Sequence, residues 1–302
     1  MIRTQSRHIW KRLKLYVEKE IEMLKIGLSV GAAAFDPAKL SSIKSAGIDS
    51  VEVGYGKYYK FKDFDYKLLR KYADEVGLEV WSLHLPFSPF GALDPSSKDR
   101  VKREFTYDHF CNIIDKATDV GIDKFVVHPS AEPNLATERA EKLDIAADFF
   151  NSLADFAANR GAVIALEDLP RTCLGNCSDE LLYIMKANDK LRVCYDTNHL
   201  LGEAPLDFIK KIGSKIVTLH VSDYDFINER HWLPGEGDND WQAVYSALSD
   251  IGYNGVWMYE VGLLPPKTIE RRPIDYSDIY NNAIEIMSGK KPTPIGKRII
   301  LG

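Results

Sequence analysis

Eight short apolar runs recur along the chain: KIGLSV (25–30), DSVEVGY (49–55), LEVWSLHL (78–85), DKFVVHP (123–129), AVIALED (162–168), LRVCYD (191–196), KIVTLHVSD (215–223) and GVWMYEVG (255–262). Between them lie stretches such as YKLLRKYADEVG, KLDIAADFFNSLADFAANRG and WQAVYSALSDIG, whose apolar residues fall at i, i+3 and i+4, as on one face of a helix. Turns reading SAGID, EVGLE, DVGID, NRGAV and DIGYN lead into many of the runs, and there glycine supplies the positive φ that ends a helix. Near-continuous apolar strands alternating with amphipathic helices predict a parallel sheet covered by helices. Eight such units, with runs beginning 24 to 45 residues apart, predict an α/β fold: a single closed (β/α)8 TIM barrel. A doubly wound sheet would carry a glycine-rich phosphate turn after its first strand. Here that turn reads SVGAAAFDP, without the GxGxxG spacing, and no Walker loop occurs elsewhere.

The pattern divides the chain into an N-terminal helical extension (1–25), the barrel (26–288) and a C-terminal tail (289–302). In the extension Ile9, Leu13, Tyr16, Val17, Ile21 and Leu24 form an amphipathic stripe. It predicts an extra helix packed across the bottom of the barrel or against another subunit, ahead of attachment to a membrane surface. The tail, KKPTPIGKRIILG, has no period, and its two prolines predict an extended arm that packs on a neighbour.

Composition narrows the classes of function. Of 302 residues, 45% are hydrophobic and 27% charged, which is ample for one large core. The formal net charge of -5 provides no general positive field for phosphate backbones, so no nucleic-acid partner is expected. No run approaches the ~20 apolar residues of a membrane span, and the basic N-terminal segment has no apolar centre like that of a secretory signal. Four cysteines make no disulfide framework: Cys111 and Cys194 read as core thiols, and the four-residue offset of Cys173 and Cys177 fits neither a CxxC motif nor a zinc knuckle. A reducing cytoplasm is the expected compartment.

The chemistry gathers where a barrel performs it, at the C-terminal strand ends and the loops beyond. Run three ends at His84, run four at His128 and run five at Glu167 and Asp168. Run six ends at Asp196, with Asn198 and His199 just beyond; run seven carries His220 and Asp223, run eight ends at Glu260, and His231 lies in the loop after run seven. Five of seven histidines and several carboxylates thus meet on one rim, and only His8 and His109 fall outside it. Burying that many ionisable groups together is costly unless a cation compensates them, so the rim predicts a metal centre. Two Glu, one Asp and one His form an oxygen-rich set suited to Mn²⁺, Mg²⁺ or Co²⁺ and acceptable to Zn²⁺.

The ordered motifs SLHLPF, VVHPS, LEDLP, CYDTNH, LHVSD, ERHWLPGEG and YEVG, spread over about residues 26–288, resemble the xylose isomerase-like barrels. That group includes sugar phosphate isomerases and epimerases, ketose 3-epimerases and apurinic-site endonucleases. The resemblance implies a divalent ion held by Glu167, Asp196, His220 and Glu260. It also implies that Glu167 and Glu260 are the acid–base pair of a sugar or sugar phosphate isomerase or epimerase working through a cis-enediolate. His199 matches a position that in epimerases touches substrate hydroxyls. Arg230 and His231, in the loop after strand seven, are expected to contact substrate or a second metal. The glycines of Pro234-Gly235-Glu236-Gly237 are expected to shape a tight turn. Trp81, Trp232 and Trp257 offer apolar walls for a sugar face, with core packing the expected role of Trp81 and Trp257.

A rival reading is a multi-zinc phosphodiesterase of the apurinic-site endonuclease type, which would use His84, His128, His199, Glu229 and His231 for further ions. Position 229 is Glu where those enzymes have Asp, and the acidic balance disfavours a DNA-binding face. Dehydration of an inosose through the same enediolate is a third reading, and a sugar-sensing barrel with a retired site is the non-enzymatic one. No dense cationic cluster announces a phosphate site, which leans toward neutral sugars. Homo-oligomers are common for such folds.

Overall fold

A computed structural model describes residues 23–31, 35–54, 64–89 and 91–299. The elements follow the predicted alternation: β1 (Lys25–Gly31), α1 (Pro37–Ser45), β2 (Ser50–Gly54), α2 (Tyr66–Val76), β3 (Glu79–His84), α3 (Arg100–Thr118), β4 (Lys124–Val127), α4 (Arg139–Ala158), β5 (Val163–Glu167), α5 (Ser178–Met185), β6 (Arg192–Asp196), α6 (Pro205–Ile212), β7 (Ile216–His220), α7 (Trp241–Asp250) and β8 (Val256–Tyr259). A short β9 (Ile269–Glu270), α8 (Tyr276–Met287) and β10 (Lys297–Arg298) follow. The strands pair in parallel in the order β7-β6-β5-β4-β3-β2-β1-β8. A parallel bridge between Val221 and Tyr259 joins the two ends, with Val221 N–H donating to Met258 O at 2.7 Å. The result is a (β/α)8 TIM barrel.

Local chemistry starts and stops the helices as the sequence suggests. Asp65, Asp99 and Asp240 accept hydrogen bonds from first-turn N–H groups of α2, α3 and α7, and Asp275 with Asp278 makes a capping box on α8. Gly77 ends α2 at φ 71°. Along each strand the pleat sends alternate side chains to opposite faces. Val51, Val53, Leu83, Phe125, Leu166, Tyr195 and Tyr259 belong to one large buried apolar cluster with helix residues such as Leu69, Phe110, Phe150 and Ile279. Val126, Ala165 and Cys194 form a separate, smaller cluster in which little volume is used. Above that layer the side chains turn polar, and Glu52, His84, Glu167, Asp196 and His220 are all buried there.

The amphipathic N-terminal extension lies outside the described residues, save its last three. The tail is extended, and its β10 pairs antiparallel with β9 of the same chain. Arg298 binds the Asp238 carboxylate at 2.7 and 2.8 Å and the Glu236 carbonyl at 2.8 Å. The Thr293 and Arg298 side chains thus find partners within the same chain.

The loop between β7 and α7 is organised by one buried carboxylate. Asp223 accepts the N–H groups of Tyr224, Gly235, Gly237 and Asn239 and the Trp241 indole N–H, at 2.8–3.2 Å. Gly235 sits at φ 96°, and a Cβ on Gly237 would fall 2.4 Å from the Tyr224 carbonyl oxygen. Gly237→Ala is therefore expected to cost about 1–3 kcal/mol through forced backbone displacement. Gly202→Ala, where a Cβ would meet nothing within 4 Å, is expected to stay within ~0.5 kcal/mol of the parent. Urea denaturation of both variants checks this, and equal stabilities would contradict it.

Candidate active site

Glu167, the last residue of β5, is 1% exposed and stands at the centre of the rim. Its Oε1 lies 2.9 Å from His220 Nδ1, while its Oε2 lies 2.9 Å from His84 Nε2 and 3.1 Å from His128 Nε2. The protons on these rings can be assigned from their other nitrogens. His84 Nδ1–H donates to the Leu85 carbonyl at 2.8 Å, and His220 Nε2–H donates to Glu52 at 2.9 Å. In the neutral rings, lone pairs of His84 and His220 therefore point at a carboxylate. Such an arrangement demands either extra protons or a cation between the donors.

Asp196 reaches the same point from the end of β6. Its Oδ1 accepts the Asn198 N–H at 2.7 Å, whereas Oδ2 is buried with no hydrogen-bond partner among the described residues and lies 3.8 Å from His220 Nδ1. Glu260, just past β8, brings Oε2 to 3.7 Å from the same nitrogen. One ligand atom from each of Glu167, Asp196, His220 and Glu260 lies within 4.8 Å of the others. An orphaned buried carboxylate oxygen beside a bare imidazole lone pair and two further carboxylates fits a divalent cation, and no thiolate takes part. The remaining donors are polarised accordingly. Burial works against a charged Glu167, yet facing His220 and hydrogen bonding by His128 hold its carboxyl well below the usual range. Burial and the adjacent Glu167 charge push Asp196 up to about 7, and burial likewise raises Glu260.

His199, Glu229 and His231 form a second group of donors within 4.8 Å of one another. His199 Nδ1–H donates to the Asp168 carbonyl at 2.8 Å, leaving Nε2 to face Glu229 Oε2 at 3.5 Å. His231 holds φ 52°, a conformation rare for a residue with a side chain, and its N–H, like that of Arg230, donates to Asn198 Oδ1. Asn198, two residues past an expected ligand, thus ties the loop after β7 to the end of β6. Asp168 acts through the backbone, its Oδ1 accepting the Asp196 N–H at 2.7 Å.

The cavity above these donors has a volume of about 140 Å³. That is well under the ~300–1,000 Å³ of drug-sized pockets and suits a small polyol. Its apolar lining comprises Leu169, Pro170 and Phe87, the last stacked on His128 at 4.3 Å. None of the three tryptophans lines it. Trp257 is fully buried, Trp81 hydrogen bonds Thr218 across the barrel, and Trp232 is buried with its indole N–H on Thr268. Arg230 also departs from its expected place. Its guanidinium binds Asp225 at 2.8 Å and lines a separate surface pocket with Trp232, because its N–H is the group turned inward. The cation at the cavity mouth is Arg171, from the loop after β5, which the sequence reading passed over.

Glu52 was likewise passed over. It lies mid-strand on β2, fully buried, and accepts from Ser29 at 3.0 Å, Ser82 at 2.8 Å and His220 at 2.9 Å. A carboxylate set between two valines in an apolar strand was the available signal. By taking the Nε2 proton it presents the Nδ1 lone pair of His220 to the other donors, as carboxylates behind metal-ligating histidines do.

Two outcomes are expected. Glu52→Gln should weaken divalent-cation affinity about 10–100-fold with the fold intact, as read by calorimetric titration and circular dichroism. A parental affinity would contradict the role of Glu52. The second concerns pH. The raised folded pKa of Asp196 means that the cation-free protein loses this group's stability as pH rises through about 7, where the buried charge is forced on. An added divalent cation reverses that loss, so its stabilising effect should grow between pH 5.5 and pH 8, with proton uptake by buffer on binding below pH 7. Thermal midpoints that gain more at pH 5.5 would refute this.

Comparison with known proteins places the chain. A family model described as xylose isomerase-like TIM barrel matches residues 40–276. An uncharacterized protein of Methanocaldococcus jannaschii is 28% identical over 93% of this chain and 97% of its own length. The inosose dehydratase of Geobacillus thermodenitrificans is 25% identical over 73% of this chain and 80% of its own length. Among solved structures, that of a D-tagatose 3-epimerase-like protein superposes with a TM-score of 0.71 at 23% identity, covering 87% of this chain and 98% of that one. At that identity the likeness speaks for the fold.

Proposed function

The chain belongs to the xylose isomerase-like TIM barrel family, and from that premise we propose that it is a divalent-metal-dependent isomerase or epimerase of a small sugar-like substrate. The observation that carries this reading is the convergence of Glu167, Asp196, His220 and Glu260 on one point, with the Asp196 Oδ2 orphaned beside them. The names of relatives, an inosose dehydratase and a 3-epimerase-like protein, lend support from the substrate side. A divalent ion there would act as a Lewis acid on a hydroxy-carbonyl pair.

The residues supply the rest. Asp196 and His220 orient the site, His220 with its tautomer set by Glu52. Glu167, which accepts from His128 and would be kept ionised by a cation at the site, is the base that takes the proton from the carbon beside the carbonyl. Glu260, at the end of the strand that closes the barrel, returns one. Delivery to the opposite face of the cis-enediolate epimerises, and delivery to the neighbouring carbon isomerises. His199 Nε2 accepts a substrate hydroxyl, and Phe87 packs on the sugar's apolar edge. Loss of water from the same enediolate would give the dehydratase outcome that one relative's name suggests.

A second reading is favoured by a specific observation: Glu167 presents one oxygen to His220 and the other to His84 and His128, as a carboxylate bridging two cations would. With His199, Glu229 and His231 beyond, a multi-zinc phosphodiesterase is the alternative. Metal content per chain, with phosphodiester assays beside sugar assays, separates the two.

Glu260→Gln is expected to keep the fold and lower kcat by about 10³-fold or more. Ketoses and inososes screened for solvent-deuterium uptake provide the assay. Near-parental exchange in that variant would refute the two-glutamate mechanism.

A further inference from the structure

Arg171 has an unusual place in the site. It stands in the loop after β5 at φ 53°, a left-handed conformation that a residue with a side chain adopts only when its surroundings enforce it. Its carbonyl accepts the Asn176 side-chain N–H at 2.7 Å. Its guanidinium makes a fork with Glu132, from the loop after β4: Nε donates to Oε1 at 3.0 Å and Nη2 to Oε2 at 2.9 Å. The remaining arm, Nη1, reaches the loop after β7, donating to Asn228 Oδ1 at 3.0 Å and lying 3.1 Å from Glu229 Oε1. Three loops that carry site residues therefore meet on one cation, and Arg171 is the only Lys or Arg among the described residues lining the cavity.

Glu229 is the only carboxylate of the His199, Glu229, His231 group. Without a negative ligand two neutral imidazoles hold a hard divalent ion weakly. The guanidinium, shared with Glu132, occupies Oε1 of that carboxylate and places a positive charge beside it where a divalent ion on Oε2 would be repelled. We propose that Arg171 is a positioning residue that stands in for a cation at the His199–Glu229–His231 group, keeping that group free of metal and its imidazoles available to substrate hydroxyls. Arginine suits this task because it stays charged at any pH the protein meets and its planar fork satisfies Glu132 and Glu229 together. The inference rests on the proposed sugar chemistry for the use made of the imidazoles, but its electrostatics stand apart from it.

The test counts ions rather than turnovers. Parent, Arg171→Met, His231→Ala and the double variant are saturated with Co²⁺ or Zn²⁺, desalted and measured for metal per chain, with Co²⁺ absorption as a second signal. The expected result is that Arg171→Met binds one equivalent more than the parent, with affinity at that group raised about 100-fold, a size consistent with removing one nearby charge. His231→Ala should leave the parent's count unchanged and remove the extra ion from the Arg171→Met background. Arg171→Lys, which keeps the charge, should retain the parental count, and if the Met variant fails to fold, the equally neutral Arg171→Gln takes its place and should likewise gain one ion. The proposal is overturned if His231→Ala strips an ion from the parent, or if folded Arg171→Met gains none. A parent that binds no metal at Glu167 and Asp196 would sink the isomerase reading while leaving this count able to decide the role of Arg171.

Discussion

Glu167 imposes the constraint on which the top of this barrel depends. Both oxygens of a carboxylate that water hardly reaches face imidazole nitrogens, and His84 and His220 have already given their other N–H to the Leu85 carbonyl and to Glu52. Left neutral, these rings would direct lone pairs at a negative charge, and left without a cation Asp196 and Glu260 would crowd further charge against it. The arrangement is stable only with added protons or with a metal ion, and these alternatives exclude each other at each nitrogen. Proton occupancy and metal occupancy are therefore linked here, which connects the raised carboxyl pKa of Asp196 to cation binding.

The barrel makes room for this concentration of charge by dividing the work of its strands. One face of each strand is bulky and apolar against the helices, and this is where burial stabilises the fold. The smaller Val126, Ala165 and Cys194 make the other cluster, and above it the strands end in acids and imidazoles. Because strand ends are held by ladders on both sides, a residue placed there is positioned by the sheet rather than by its own loop. The polar layer is thus carried by a scaffold whose stability comes from elsewhere.

How far the sequence reveals this follows from where each residue stands. Strand-end donors are legible, since a polar residue closing an apolar run breaks a clear pattern, and Glu167, Asp196, His220 and Glu260 are found together at one point. Glu52 breaks the pattern too, but mid-strand, where the barrel's tilt rather than chain position brings it under His220. Arg171 and Arg230 could not be told apart by their surroundings in the chain. Each lies in a loop near charged residues, and only the turn at Arg230, which directs its N–H toward Asn198 and its guanidinium toward Asp225, decides that Arg171 is the one at the cavity. The tryptophans divide in the same way: Trp257, within its strand, packs in the core as expected, whereas Trp232, offered as a wall for a sugar, is buried with its indole N–H on Thr268.

The loops extend this point, because no ladder holds them. Asp223 holds the loop between β7 and α7 through five N–H donors on a buried carboxylate, an arrangement that a Cβ at Gly237 could enter only by displacing backbone. Arg171 instead holds three loops through ion pairs about a third exposed to solvent. Exposed pairs contribute little to stability and exchange partners readily. The first loop is thus built rigidly into the fold. The second set is held by a charge whose removal would leave the fold standing while changing what the nearby imidazoles can bind. On a scaffold whose strand-end residues are fixed by the sheet, residues of this second kind are where one barrel can differ from another without being refolded.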